Sequence, residues 1–361
     1  SAVTNFGPRA VTKNASDPAT STNPANGVGT VWANTTSGEM YVCTDATAGS
    51  NVWINIGGGE VGIGKCFGGQ GGGTVAGFTS SGEPQGSQGA IINRYTFASA
   101  NDATNHGTLS LARGAGKGCS SSTHGVTAGG YNAGYRNTID KWAFASNTTA
   151  ADHGDLTNGL QSASSNSSSP HGYISGGYPN IKTIDKFPFA TNSGATSAGD
   201  LIENIYHGAG SDSHTHGYVL GGGGTSSGNV SYIQKFSFAT DGNSNNHGNL
   251  TIAAVSQGGT SSNTHGYSAG GHGATNRTNV INKFSFSTAG TATDHGDLTV
   301  GRRTPSESSS LTHGFTAGGY SSADGSTREN VIDKFAFASN VTATDVGNLT
   351  AIRAEFAGHQ D

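Results

Sequence analysis

Five histidines recur at nearly equal spacing along the chain, and each is followed by a glycine. Successive members lie 47, 45, 49 and 48 residues apart, at His124, His171, His216, His265 and His313. Imidazole is a common metal ligand, so histidines arranged around one axis would be able to coordinate a metal ion. The alternative is a turn residue whose imidazole hydrogen-bonds the neighbouring repeat. We favour the turn role and predict no metal, because no clear sixth histidine completes the set.

A second recurring group has the composition of an acid–base pair. The sequence Asp-His-Gly-Asp-Leu-Thr occurs at 152–157 and 294–299, and related versions occur elsewhere. Two of these versions lack the histidine and have Ser197-Ala198 or Asp345-Val346 in its place. A catalytic pair is needed once, so its repetition argues against general acid–base catalysis. We expect hydrogen bonds that stabilise each copy instead.

A lysine recurs in the motif Ile-Asp-Lys-Phe-x-Phe and its variants. We expect each lysine to pair with a nearby acidic group or to cover a strand face, and the paired phenylalanines to fill the core. The lysines to which we assign this structural role are Lys141, Lys186, Lys235, Lys283 and Lys334.

The elements that must position these residues repeat every 45 to 51 residues. Each copy has a serine-rich run such as 119–122, a segment ending in Gly-Gly, the Lys-Phe segment and an Asp-Leu-Thr segment. Alternating apolar and polar residues are typical of half-buried strands. The spacing predicts an all-β fold with four antiparallel strands per copy. The histidine–glycine pair would lie in the first hairpin, where glycine supplies a positive φ.

The Gly-Gly strand, the aromatic strand and the turn that follows them resemble the kelch repeat over roughly residues 61–361. The resemblance implies a six-bladed kelch-like β-propeller, which we assign to residues 59–361. The His-Gly-Asp-Leu group stands where kelch repeats usually have a tryptophan. We expect the first copy to begin at its second strand, residues 63–69. Residues 353–361 would then supply the missing first strand and close the ring.

Enzymes occur on propellers, but their signatures are missing here. The sequence has no sialidase-type Asp box and no Gly-x-Ser-x-Gly elbow between a strand and a helix. The glycine runs at 68–73 and 221–224 lack the lysine and the helix of a phosphate-binding loop. We predict a protein that is not an enzyme and that uses no cofactor.

Residues 1–58 lie outside the repeat and are predicted to form a small N-terminal β module. After a polar segment, short strands are expected at 29–32, 39–43 and 51–54. Trp32 and Trp53 are the expected core of this sheet, which is near the lower limit of independent stability.

The segments 29–32 and 38–45 resemble small β modules in tail-fibre and other virion proteins of tailed bacteriophages. The glycine-rich repeats are also similar to those of marine phage structural proteins. The resemblance implies a tail fibre or similar appendage on the virion, attached to other virion proteins through the N-terminal module, with a homotrimer as the expected assembly. The alternatives are a capsid-surface decoration protein and a propeller glycan hydrolase or lyase.

The loops where the copies differ are the predicted binding surface. Loops between the second and third strands, and between copies, emerge on one face of a kelch-type blade, and the first, 70–89, is expected to be the longest. Rigid scaffolds that present aromatic loops are typical of binding sites. We predict contact with a host-surface glycan or protein for Tyr131, Tyr135, Tyr178, Tyr206 and Tyr320.

Composition argues against several other partners. The net charge is −5, with no basic stripe of the kind that nucleic-acid binding requires. No apolar run is long enough for a membrane span. Cys43, Cys66 and Cys119 are odd in number and lack metal-ligand spacing, so we predict free thiols.

Overall fold

The computed structural model describes residues 11–35, 40–57, 75–83, 88–224, 227–321 and 327–361. Within these ranges every regular element is a β-strand and most strand pairs are antiparallel, which confirms the all-β prediction. The chain divides into two compact units, Ser1–Ile63 and Gly64–Asp361. The predicted boundary after residue 58 falls outside the described residues.

The described residues of the N-terminal unit form one four-stranded sheet. Its strands are β1 (Thr12–Asn14), β2 (Val31–Asn34), β3 (Met40–Asp45) and β4 (Val52–Gly57), in the order β1-β2-β3-β4. β1 lies in the polar segment and runs parallel to β2, so this sheet has one strand more than predicted. The ring centroids of Trp32 and Trp53 are 5.8 Å apart in an edge-on arrangement. Their indole nitrogens donate to the Ser16 and Thr22 carbonyls, which ties the polar segment to the sheet.

The second unit contains six sheets among the described residues. In sheets 2 to 6, four strands pair antiparallel in chain order, and we call them the first to fourth strands of each sheet. Sheet 2 consists of β8 (Lys117–Ser120), β9 (His124–Ala128), β10 (Arg136–Ala143) and β12 (Ala151–Leu160). Sheet 3 consists of β13 (Ser164–Ser167), β14 (His171–Ser175), β15 (Thr183–Pro188) and β16 (Thr196–Asp200). Sheet 4 consists of β18 (Ala209–Asp212), β19 (His216–Gly224), β20 (Gly228–Ser237) and β21 (Asn245–Asn249).

Sheets 5 and 6 follow the same plan. Sheet 5 consists of β22 (Gly258–Ser261), β23 (His265–Ala269), β24 (Val280–Ser285) and β26 (Thr293–Asp297). Sheet 6 consists of β27 (Ser306–Ser309), β28 (His313–Tyr320), β29 (Arg328–Ala336) and β30 (Thr344–Asn348). Three two-residue strands add to sheet edges, namely β11 (Thr148–Thr149), β17 (Ile205–Tyr206) and β25 (Gly290–Thr291). The four-strand plan agrees with the segments predicted from the repeat.

Sheet 1 combines strands from both ends of the second unit. Its strands are β31 (Ala354–Gln360), β5 (Ala76–Glu83), β6 (Ile91–Thr96) and β7 (Thr104–Thr108), and β31 pairs antiparallel with β5. The strand predicted at 63–69 lies outside the described residues, and β5 occupies the second place in this sheet. The long loop predicted at 70–89 is wrong, because β5 lies within that range and is buried along most of its length.

Hydrophobic clusters fill the spaces between neighbouring sheets. One cluster packs Ile139 of sheet 2 against Phe187 of sheet 3. Another joins Tyr95 of sheet 1 to Phe315 of sheet 6. Each of the other consecutive sheet pairs shares a cluster of the same kind. The third-strand aromatics are therefore inter-sheet core, as the sequence predicts.

The glycine of each histidine–glycine pair makes room for an aromatic ring. Gly172 lies inside β14, and a Cβ atom there would be 2.3 Å from the Phe187 ring. Gly125, Gly217, Gly266 and Gly314 face their third-strand rings in the same way. None of these glycines has a positive φ, so the predicted turn role is wrong. The left-handed conformation occurs instead at the Gly-Gly doublets, such as Gly176 and Gly177 with φ of 68° and 109°.

Sheet 1 contacts both sheet 2 and sheet 6. Its first strand, β31, packs against β8 of sheet 2 and against β27 of sheet 6. Farther out, the Ala150 amide donates to the Thr108 carbonyl at 2.7 Å, and the Ala103 amide donates to the Asn348 carbonyl at 2.7 Å. These bonds link sheet 2 to sheet 1 and sheet 1 to sheet 6.

Candidate functional site

Four of the five predicted tyrosines form one continuous row. The ring centroids of Tyr131 and Tyr135 are 5.8 Å apart, and those of Tyr135 and Tyr178 are 5.9 Å apart. Tyr206 continues the row 6.1 Å from Tyr178. The row therefore crosses from the loop after β9, past the loop after β14, to the connection between sheets 3 and 4.

Local backbone structure holds the row in place. Tyr131 forms isolated β-bridges with Gly114 and Tyr135, and Tyr178 forms one with Gln161. Tyr206 pairs with Gly223 of β19, where a Cβ atom would lie 2.5 Å from the tyrosine ring. Glycine at this position lets the ring lie flat on the sheet.

The row presents aromatic surface to solvent. Tyr131, Tyr135 and Tyr178 are 39%, 40% and 42% exposed, which is high for rings that also pack against each other. A tyrosine offers a flat apolar face and a hydroxyl that donates or accepts hydrogen bonds. Four such rings in line suit an extended ligand with both apolar faces and hydroxyl groups.

The row ends at His207, whose ring centroid is 5.6 Å from that of Tyr206. Burial, together with the nearby Lys117 and Arg303, lowers the pKa of His207 to about 4. His207 is therefore neutral at pH 7. It lines a cavity of about 20 Å³ together with Lys117 and Glu355.

Six residues with left-handed backbone surround this cavity, five of them just before the first strands of sheets 2 to 6 and the sixth, Glu355, inside the first strand of sheet 1. They are Ala115, Ser162, His207, Ser256, Thr304 and Glu355, with φ between 52° and 60°. The amide of each donates to the carbonyl of the preceding member, and Ala115 donates to Glu355 at 2.7 Å. We call this closed set of six hydrogen bonds the axial ring. Sequence analysis missed it because its members share no residue type.

Tyr320 lies apart from the row, contrary to its predicted grouping with the other four. It is only 6% exposed and contacts Arg303 and Arg328, whose guanidinium carbons are 5.3 and 4.9 Å from its ring centroid. Its hydroxyl donates to Glu83 at 3.3 Å. Burial and the nearby Glu355 raise its pKa. Tyr320 therefore anchors an interior contact between sheets 6 and 1.

The recurring histidines bond within their own hairpins. The Nδ1 atom of His124 is 2.7 Å from the Thr123 hydroxyl, and His216, His265 and His313 have the same partner at 2.8 Å. His171 follows a proline and cannot form this bond. The expected partner in a neighbouring repeat is therefore wrong for these four residues. Among the described residues no three His, Cys, Asp or Glu side chains are placed to share a metal ion.

The recurring lysines cover strand faces more often than they form ion pairs. Lys235, Lys283 and Lys334 lie 5.7 to 5.9 Å from the ring centroids of second-strand aromatics. Lys186 pairs with Asp241 at 2.9 Å, and Lys141 donates to the Phe189 carbonyl at 2.6 Å. Both predicted roles occur.

The Asp-His-Gly-Asp group joins neighbouring sheets. The Nε2 atom of His153 is 2.7 Å from the Pro188 carbonyl, and that of His295 is 2.8 Å from the Ala336 carbonyl. The Asp152 carboxylate accepts the Gly154 amide at 3.0 Å, which supports that glycine's φ of 134°. The predicted hydrogen bonds are present, but those of the histidines run to the neighbouring sheet, and that of Asp152 stays within its own copy.

No protein-family model matches this sequence, and no curated protein matches it. Over the described ranges, no helix is long and apolar enough to cross a membrane. Inference about function therefore rests on the geometry of the tyrosine row and of the axial ring.

Proposed function

We propose that residues 64–361 form a closed six-bladed β-propeller of the kelch type. The main support is that the first strands of the sheets contact one another in cyclic order, from β31 through β8, β13, β18, β22 and β27 back to β31. The axial ring and the six inter-sheet clusters follow the same cyclic order. A closed ring leaves no first or last blade with an open face.

On this scaffold, we propose that the tyrosine row binds a carbohydrate on a host-cell surface. The observation that carries the proposal is the alignment of Tyr131, Tyr135, Tyr178 and Tyr206 on one surface. Sugar rings have apolar faces that pack on aromatic rings, and hydroxyl edges that hydrogen-bond to polar groups. Tyrosine is also enriched among the residues that dominate binding energy.

The biological setting we propose is a bacteriophage virion. In this proposal the protein is a non-enzymatic tail fibre or similar appendage, with its N-terminal module attached to other virion proteins. The support is the resemblance of segments 29–32 and 38–45 to modules of phage virion proteins. The exposed side chains of Val52 and Ile54 on β4, 48% and 50% exposed, would contribute to that attachment. A decoration protein on the capsid remains the alternative.

Glycan-array binding of the full chain tests the carbohydrate proposal. Tyr135→Ala removes a ring from the middle of the row, so we expect affinity for any bound glycan to fall by about tenfold or more. The matched control is Leu311→Ala, which removes another exposed apolar side chain (56% exposed) from the hairpin between β27 and β28. Absence of glycan binding by the parent protein, or equal affinities for the parent and Tyr135→Ala, would overturn the proposal.

A further inference from the structure

We call the cavity lined by Lys117, His207 and Glu355 the axial mouth. Lys117 is a positively charged residue of this cavity without an ion-pair partner. It lies at the start of β8 and lines the cavity beside His207, where the tyrosine row ends. Among the described residues, none of the ion pairs within 4.0 Å includes Lys117. A partly buried ammonium with no carboxylate within ion-pair distance is costly, and an anionic ligand reduces that cost.

The charged groups around the mouth leave a positive excess. Glu355 interacts with Glu83, Arg303, Lys117 and Arg328. Arg328 lies 4.0 Å from Glu83, and Arg303 stacks on Tyr320. Three positive groups and two carboxyl groups in this set leave one positive charge in excess, while the neutral His207 adds none. Glu307 lines an adjoining cavity with Lys117, and burial raises its pKa well above 4.5, which favours its uncharged form.

The dimensions of the mouth limit what can enter it. Its volume of about 20 Å³ is room for one water-sized group, and a sugar ring is too large. The hydroxyls of Ser162 and Ser256 belong to residues of the axial ring and add hydrogen-bond donors beside Lys117, whereas the Thr304 hydroxyl donates to the Arg303 carbonyl at 2.8 Å. An oxygen atom of an anionic substituent has the required size and charge.

We propose that the axial mouth binds an anionic group of the same glycan whose sugar rings lie on the tyrosine row, so that the ligand is an acidic saccharide. This inference rests on the proposed function. The row leads directly to the mouth, since Tyr206 and His207 are adjacent in sequence and their ring centroids are 5.6 Å apart. Hydrogen bonds to a charged group are stronger than neutral ones, so the anionic group selects acidic over neutral chains.

The test compares the binding of matched oligosaccharides to the full chain of residues 1–361. The probes are a neutral hexasaccharide, the same chain with one terminal uronic acid, and the same chain with one terminal sulfate. We expect the unmodified protein to bind at least one anionic probe about tenfold more tightly than the neutral one. We expect Lys117→Met to lose this preference and to keep its affinity for the neutral probe.

Lys182→Met is the matched control, because Lys182 is an exposed lysine that pairs with Asp200 at 3.2 Å on the surface. This variant should keep the preference for anionic probes. Equal binding of all three probes by the unmodified protein, or an undiminished preference in Lys117→Met, would overturn the inference and leave the carbohydrate proposal intact. Failure to bind any probe or any array glycan would instead overturn the carbohydrate proposal itself.

A second measurement uses the unmodified protein, so it tests the inference even if Lys117→Met does not fold. Burial lowers the pKa of Lys117 to about 8, with Glu355 acting in the opposite direction. Of the other titratable groups that line cavities with Lys117, His207 is already neutral above pH 7, and burial raises the pKa of Glu355 and of Glu307. Loss of a proton from either carboxyl group as the pH rises would act in the same direction as loss of the Lys117 charge. The preference for anionic probes should therefore decline between about pH 7 and pH 10 as Lys117 loses its charge. A preference that is constant across this range would count against Lys117 as the binding group.

Discussion

Replacing His359 with glutamine should remove a specific part of the acid sensitivity of this protein. His359 lies in β31, is fully buried, and joins three strands of the second unit. Its Nδ1 atom is 3.1 Å from the Cys119 carbonyl on β8, and its Nε2 atom is 2.7 Å from the Ser80 hydroxyl on β5. A carbonyl only accepts, so Nδ1 carries the proton and Nε2 accepts from Ser80. The neutral ring satisfies both partners, whereas a protonated ring would lose the bond that Ser80 donates.

The magnitude follows from the pKa of this buried ring. Burial lowers the pKa of His359 from 6.5 to about 4. Because the folded pKa is depressed, the stabilising contribution is complete above pH 6.5 and is lost as the pH falls through about 4. At pH 4 this histidine binds a proton far more readily in the unfolded chain than in the folded protein. The free energy of unfolding is therefore lower by about 3 kcal/mol than at pH 7.

Urea unfolding at pH 7 and pH 4 measures this contribution. The difference between the two unfolding free energies should be about 3 kcal/mol smaller in His359→Gln than in the parent protein. Other titrating groups contribute equally to both proteins and cancel. The control is His313→Gln, because His313 lies at a partly exposed hairpin end, where solvent screening leaves a smaller effect. Identical pH dependence in the parent and His359→Gln would refute the assignment of a neutral, buried imidazole to this junction.

Three further substitutions test the core and its buried charge. Gly172→Ala should lower the free energy of unfolding, measured by urea titration, by about 1–3 kcal/mol, because the added Cβ atom would overlap the Phe187 ring. The control is Gly242→Ala, which has open space around it and should change the free energy of unfolding by less than about 0.5 kcal/mol. Phe356→Ala should lower the free energy of unfolding by about 3–5 kcal/mol, since this ring is 3% exposed and packs between sheets 6 and 1. An unchanged urea midpoint would contradict the proposed closure of the ring of sheets. Burial raises the pKa of Glu307 well above 4.5, so its stabilising contribution is present below pH 4.5 and is lost as the pH rises. Glu307→Gln should therefore unfold at higher urea than the parent at pH 7, and a lower midpoint there would contradict the assignment.

The strand plan was predictable because it depends on local patterns. Alternation of apolar and polar residues marks the third strand, and β15 agrees with the Lys-Phe segment that contains Lys186. The role of Gly172 was not predictable in the same way. A glycine next to a hairpin favours a positive φ from sequence alone, but its actual partner, the Phe187 ring, is defined by the pairing of β14 with β15. Cross-strand register is a tertiary property, and the sequence of one strand does not contain it.

The tyrosines show a similar limit. Tyr178 and Tyr320 both follow a Gly-Gly doublet, so sequence analysis treats them alike. Tyr178 is 42% exposed, whereas Tyr320 is 6% exposed and has the guanidinium groups of Arg303 and Arg328 over its ring. These arginines come from the connection before β27 and from β29, so the exposure of the tyrosine depends on residues that vary between copies.

The second strand of the first copy is β5, and the sequence pattern points instead to residues 63–69. Its doublet is Ser81-Gly82, with φ of 64° and 100°, so a search for paired glycines misses it and finds residues 68–69 instead. The conformation is the same as in the other doublets, and Ser81 accepts the strain of a left-handed backbone. The first hairpin is also divided between chain segments that are far apart in sequence. Asp361 accepts the amides of Val75 and Ala76 at 3.0 and 2.8 Å, where Ser121 accepts those of Thr123 and His124 in sheet 2. A carboxylate thus replaces a serine hydroxyl, and the hydrogen bonds of the turn are kept although the chain does not pass through it.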